Sequence, residues 1–110
     1  MYAVNEGKIR INDKTVETYG RAVLGKDTAL HVAAGTSGYK GSNRREDGGR
    51  TYLKIECFCG DFFFDPVREE DGTVTGIVIA CCGDDSLDAV RKVLDFARNV
   101  IGGRDCNADA

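Results

Sequence analysis

The chain has 110 residues and a formal net charge of −3, from 15 basic and 18 acidic side chains. That length makes one domain with a small core, read here as residues 1–103. The acidic balance argues against DNA or RNA as the main partner, because polyanion binders present a basic face.

No apolar run approaches the ~20 residues that a membrane-spanning helix needs. The opening MYAVNEGKIRIN lacks the basic-then-apolar pattern of a secretory signal. The expected compartment is therefore a cytosol, where five cysteines stay reduced.

Residues 8–19, KIRINDKTVETY, read as a β-hairpin. Ile9 and Ile11 alternate with Arg10 and Asn12, and Asn12-Asp13-Lys14 supplies turn residues. A second strand pattern spans Ala29–Ala34 and contains His31, the single histidine. With no carboxylate and nucleophile at a usable spacing, His31 reads as a core or sheet-edge residue.

The stretch from Gly35 to Gly60 holds six glycines. Glycine lets a backbone approach a ligand closely, and successive N–H groups in such a loop form anion-binding concavities. Arg44, Arg45 and Arg50 add guanidinium forks that match phosphate, while Glu46 and Asp47 beside them give the tip a solvated, mixed-charge character.

TYLKIECFC follows as a half-buried strand. Leu53, Ile55, Cys57 and Cys59 share one face; Tyr52, Lys54, Glu56 and Phe58 share the other. Gly60-Asp61 is a tight turn into FFFD, and Pro66, the one proline, edges that strand. Tyr39, Phe58 and the run Phe62-Phe63-Phe64 supply flat π-faces of the kind on which bases stack. Phosphate-type donors and base-type platforms in one stretch point to a small phosphorylated nucleotide. The competing reading is a surface loop feeding an ordinary core strand.

Thr73–Cys82 reads as the most buried strand, since Ile77, Ile79 and Cys81 on one face and Val78, Ala80 and Cys82 on the other are all apolar. Such a strand needs cover on both sides. One helix supplies one side, so the other falls to the N-terminal hairpin or to a second copy of the chain. The helix is announced by Asp84 or Asp85 as cap. Leu87, Val90, Val93 or Leu94, Ala97, and Val100 or Ile101 follow at helical spacing, with Gly102-Gly103 as the stop. Residues 104–110 read as a disordered tail. Strands first and a helix last argue for an α+β fold: an antiparallel β-sheet with an N-terminal hairpin and one long C-terminal helix.

Cys57-x-Cys59 and Cys81-Cys82 do not have the C-x2-C spacing of structural zinc sites. They read as core thiols, and no metal or cofactor is expected.

The runs GTSGYKG…DGGRTYLKIECFCGDFFFDPV and GIVIACCGDDSLDAVRKVLDFA resemble the phage proteins of the first Thoeris anti-defence family. The likeness covers roughly residues 30–101, most specifically GGRTYLKI and the turn before the helix. It implies a sponge that binds the cyclic ADP-ribose isomer made by bacterial TIR-domain enzymes, holds it uncleaved and works in the host bacterial cytoplasm. It also implies homodimers or assemblies of dimers with pockets between subunits, and cyclic di- or trinucleotides as further ligands at a separate interface.

The residues themselves suggest Gly38, Tyr39, Gly41, Arg44, Arg50, Phe58, Phe62, Phe64 and Arg91 as the ligand-binding set. The base would stack on Phe58, Phe62 or Phe64, and the phosphates would meet the Gly35–Gly49 loop, Arg50 or Arg91. In the alternative, Phe62 and Phe64 fill the core and Phe63 alone is exposed. Two other functions stay open: an inhibitor docking a host protein through GSNRREDGG, and a nucleotide hydrolase using His31 with Asp61 or Asp65, or a cysteine.

Overall fold

A computed structural model describes residues 4–38 and 49–102. Residues 104–110 lie outside the described part. The order is β1 (Asn5–Ile11), β2 (Lys14–Leu24), β3 (Ala29–Thr36), β4 (Thr51–Cys59), β5 (Phe62–Arg68), β6 (Val74–Cys81) and α1 (Asp84–Ile101). The fold is α+β, as the order of patterns implied. The first four strands form one antiparallel sheet in the order β1-β2-β3-β4, and β5 and β6 pair as a separate two-stranded hairpin.

Alternation sets the N-terminal hairpin, and its turn is tighter than three residues. Asn12 and Asp13 alone form it, both at positive φ (49° and 71°), the backbone of the two-residue turn that matches strand twist. β2 then runs on to Leu24, further than the 8–19 pattern suggested.

β3 lies in the middle of the sheet, so His31 is not at an edge. Leu30, Val32 and Ala34 point to one face, where α1 packs through Ala89, Val93, Phe96, Ala97 and Val100. Tyr19, Val23, Ile55 and Cys57 complete that layer.

Three expectations are corrected here. In the helical stripe Leu87 stands exposed instead of facing the core; of the open alternatives Val93 and Val100 turn inward with Ala97, and Leu94 and Ile101 are exposed. β6 is not buried: Val74, Ile77, Val78 and Ile79 are all exposed, because the helix covers β2–β3–β4 and leaves the hairpin to itself. Among the described residues no thiol is fully buried either, though Cys57 packs against the edge of the core. Cys59 and Cys82 are exposed, and Cys57 and Cys81 are half-buried.

The hairpin also extends the molecule. The Cα radius of gyration is 15.5 Å, against about 13 Å for a compact chain of this length.

The helix start departs from the expected cap as well. Gly83 occupies the cap position without a side-chain bond. Asp85 instead turns to the β2–β3 turn, where its carboxylate accepts hydrogen bonds from the Lys26 N–H (2.9 Å), the Asp27 N–H (2.8 Å) and the Thr28 hydroxyl (2.7 Å). These donors, the Asp27 N–H foremost, hold the carboxyl below its ordinary value of 3.8. A carboxyl lowered by folding stabilises fully above its unfolded pKa and loses that contribution as pH falls through the folded one. Asp85→Ala is therefore expected to lower the melting temperature at pH 7. The gap to wild type should close as the pH is taken below about 4 in a thermal-melt series; a gap constant across that range would show that the carboxylate is not the clamp.

Candidate functional site

β4 is the strand that carries the candidate site, and it separates the site's two halves. At its start, Arg50 closes the glycine-rich loop. The Arg50 N–H donates to Ser37 Oγ (2.9 Å), and the Ser37 N–H donates to the Arg50 carbonyl (3.0 Å). The guanidinium of Arg50 reaches across to the N-terminal hairpin and donates through Nε to the Ile11 carbonyl (3.2 Å), with a second bond to the Gly49 carbonyl (3.4 Å). Gly38 sits beside it at φ 85°, its N–H on Thr36 Oγ1 (3.1 Å). Tyr39, Gly41 and Arg44 fall outside the described residues.

At the other end of β4 stand the aromatics. Phe58 is 71% exposed. Beyond the Gly60-Asp61 turn, Phe62 packs against the helix-side core and stacks on Phe64, with ring centroids 6.3 Å apart and planes 18° from parallel. Phe64 is 39% exposed, and Phe63, on the opposite face of β5, is 62% exposed. Strand alternation thus puts Phe62 and Phe64 on one face and Phe63 on the other, and of the first two only Phe62 packs on the core. Eight steps of extended chain, about 26 Å at strand rise, separate Arg50 from Phe58. Within one chain the loop root and the aromatic end do not share a pocket. Arg91 is on neither: it projects from the outer side of α1 and is exposed.

The sheet face away from the helix is built of small residues. Gly20 and Ala22 of β2 oppose Ala33 and His31 of β3, and Gly35 lies beyond them. A Cβ on Gly20 would lie 2.9 Å from the His31 ring. His31 Nδ1 is buried there with no hydrogen-bond partner among the described residues. Tyr52, Lys54 and Glu56 rim this surface from β4, with Lys54 Nζ 3.4 Å from Glu56 Oε1.

Sequence reasoning missed one cleft, of about 470 Å³, at the N-terminus of α1. It is lined by Asp27, Thr28, Gly60, Asp61, Asp84 and Asp85, among others. A helix N-terminus attracts anions, but here the chain's own Asp85 carboxylate already takes the loop donors, and Asp27, Asp61 and Asp84 repel a phosphate. Its lining comes from three distant segments, so no local signal announces it. Among the described residues no group of three or more histidine, cysteine or acidic side chains is placed to hold a metal ion, and no helix is long and apolar enough to cross a membrane. Comparison with known protein families, curated proteins and solved structures finds no match to this chain.

Proposed function

We propose that the protein is a homo-oligomeric sponge: it binds a cyclic ADP-ribose isomer made by TIR-domain enzymes, holds it uncleaved in the host cytoplasm, and so blocks Thoeris immune signalling. Cyclic di- or trinucleotides are further ligands under this reading. The observation that carries it is the presentation of Phe58 and Phe63 to solvent, together with the family resemblance of the segment that holds them. Exposed phenylalanine rings are costly to leave in water and well suited to an adenine face. Because Arg50 and Phe58 stand at opposite ends of β4, phosphate and base contacts drawn from both come from different copies.

The test is recovery of ligand. Protein incubated with TIR-enzyme product is desalted and heat-denatured, and the released small molecules are weighed by mass spectrometry. Intact cyclic ADP-ribose isomer supports the sponge. Fragments point to a hydrolase. No bound nucleotide, with no thermal shift on nucleotide addition, points to the protein-docking inhibitor. Phe58→Ala removes no core packing, yet it is expected to weaken nucleotide binding about tenfold or more, as the loss of one stacking face worth ~1–3 kcal/mol requires. Unchanged affinity in calorimetry would remove Phe58 from the site.

A further inference from the structure

Two apolar surfaces of this chain stand exposed and match one another. The first is one face of the β5–β6 hairpin. Its register pairs Phe64 with Ile79 and Pro66 with Ile77, which puts all four on the same side as Phe62. Since Phe62 belongs to the core beneath α1, this face continues the helix side of the fold as an uncovered shelf. Ile77 is 59% exposed there. The second surface is the outward stripe of α1. Leu87, Arg91, Leu94, Arg98 and Ile101 recur at the spacing that aligns side chains on one side of a helix, and Leu94 is 55% exposed.

We infer that these two surfaces bind each other between two copies of the chain, the helix of each copy lying on the hairpin shelf of the other. The inference deepens the oligomeric half of the function proposed above and is independent of the ligand.

Length, charge and area support the pairing. The stripe from Leu87 to Ile101 is about 21 Å long at helical rise, and β5 from Phe62 to Arg68 spans about 20 Å at strand rise. The hairpin ends in the acidic turn Glu69-Glu70-Asp71, shaped by the Arg68 guanidinium on the Gly72 carbonyl (3.2 Å) and the Thr73 N–H on Asp71 Oδ1 (2.9 Å). The stripe carries Arg91 and Arg98, and among the described residues no ion pair engages either. Six apolar side chains of shelf and stripe, Phe64, Ile77, Ile79, Leu87, Leu94 and Ile101, are each 39–59% exposed, the kind of apolar area that a standard interface of ~800 Å² per partner removes from water. The arrangement is isologous and closes on two copies: sheet, two helices side by side, sheet.

Light scattering on the full chain tests this. The expected particle has twice the 11.9 kDa chain mass. Ile77→Asp and Leu94→Asp, at positions exposed in the single chain, should each give monomers with an unchanged circular dichroism spectrum. Paired charge reversals supply the sharper readout. Glu69→Lys with Glu70→Lys should weaken dimerisation at least tenfold, and so should Arg91→Glu with Arg98→Glu. All four in one chain should return it to within about threefold of wild type. A wild-type monomer at tens of micromolar, dimers that survive Leu94→Asp, or a quadruple variant as weak as the doubles each overturn the interface. Nucleotide titration is read separately. A wild-type dimer that takes up no nucleotide sinks the sponge and upholds this interface, and a wild-type monomer that binds nucleotide tightly does the reverse.

Discussion

Phe96→Ala is expected to remove about 3–5 kcal/mol of stability, the range for emptying a buried aromatic site. Phe96 is 1% exposed and sits where α1 meets β2 and β3, with the Arg21 guanidinium 5.7 Å from its ring centroid. The truncation leaves a cavity that the flanking strands cannot fill without breaking their ladder, and it strips Arg21 of the ring beneath it. Domains of this size hold only about 5–15 kcal/mol in total, so the variant should be partly unfolded at physiological temperature. Urea denaturation followed by circular dichroism reads this directly: the midpoint should fall sharply at an unchanged slope. A midpoint within experimental error of wild type would place the core elsewhere.

Gly35→Ala is the second large effect. A Cβ there would be driven into the Glu17 carbonyl and would lie 3.1 Å from Thr18 Cα. Both obstacles are backbone atoms of the neighbouring strand, and no rotamer change can relieve them. β2 and β3 must part at their ends, so the cost is expected at or above the ~1–3 kcal/mol of ordinary overpacking. Gly38→Ala is the control. Its φ of 85° is strained for alanine, but nothing lies within 4 Å of the added carbon, so it should cost only about 1 kcal/mol. Equal losses in the two variants would show that strand contact does not set the requirement at Gly35.

The parts of this fold that were legible in the sequence are those set by local periodicity. Ile9, Ile11 and the Asn12-Asp13 turn announce the first hairpin, and the recurrence from Leu87 to Ile101 announces the helix. What periodicity did not decide is which apolar surface is covered by the same chain. The helix has two candidate stripes, and the larger side chains, Leu87 and Leu94, form the outer one. The sheet beneath is lined by Val32 and Ala34, and it accepts Ala89 and Val93 at close range. Apolar residues on both faces of β6 signal that the strand wants cover, and say nothing about whether the cover belongs to the same molecule. The candidate site was partly hidden for a related reason. Phe62, Phe63 and Phe64 are chemically identical, so only the packed fold reveals that Phe62 meets the core while Phe64, on the same face, stays exposed. The helix-end cleft was hidden because its carboxylates are gathered from three separate turns.

The clamp between Asp85 and the turn at Lys26–Thr28 joins segments 57–59 residues apart, and the side chains that seal the β3 surface, Phe96 and Val100 above all, follow it in the chain. During synthesis the four-stranded sheet therefore leaves the ribosome with Leu30, Val32 and Ala34 bare. At roughly 5–20 residues per second, that surface stays uncovered for several seconds before α1 arrives. A nascent chain stalled before residue 90 should be captured by chaperones, and one released past residue 101 should not.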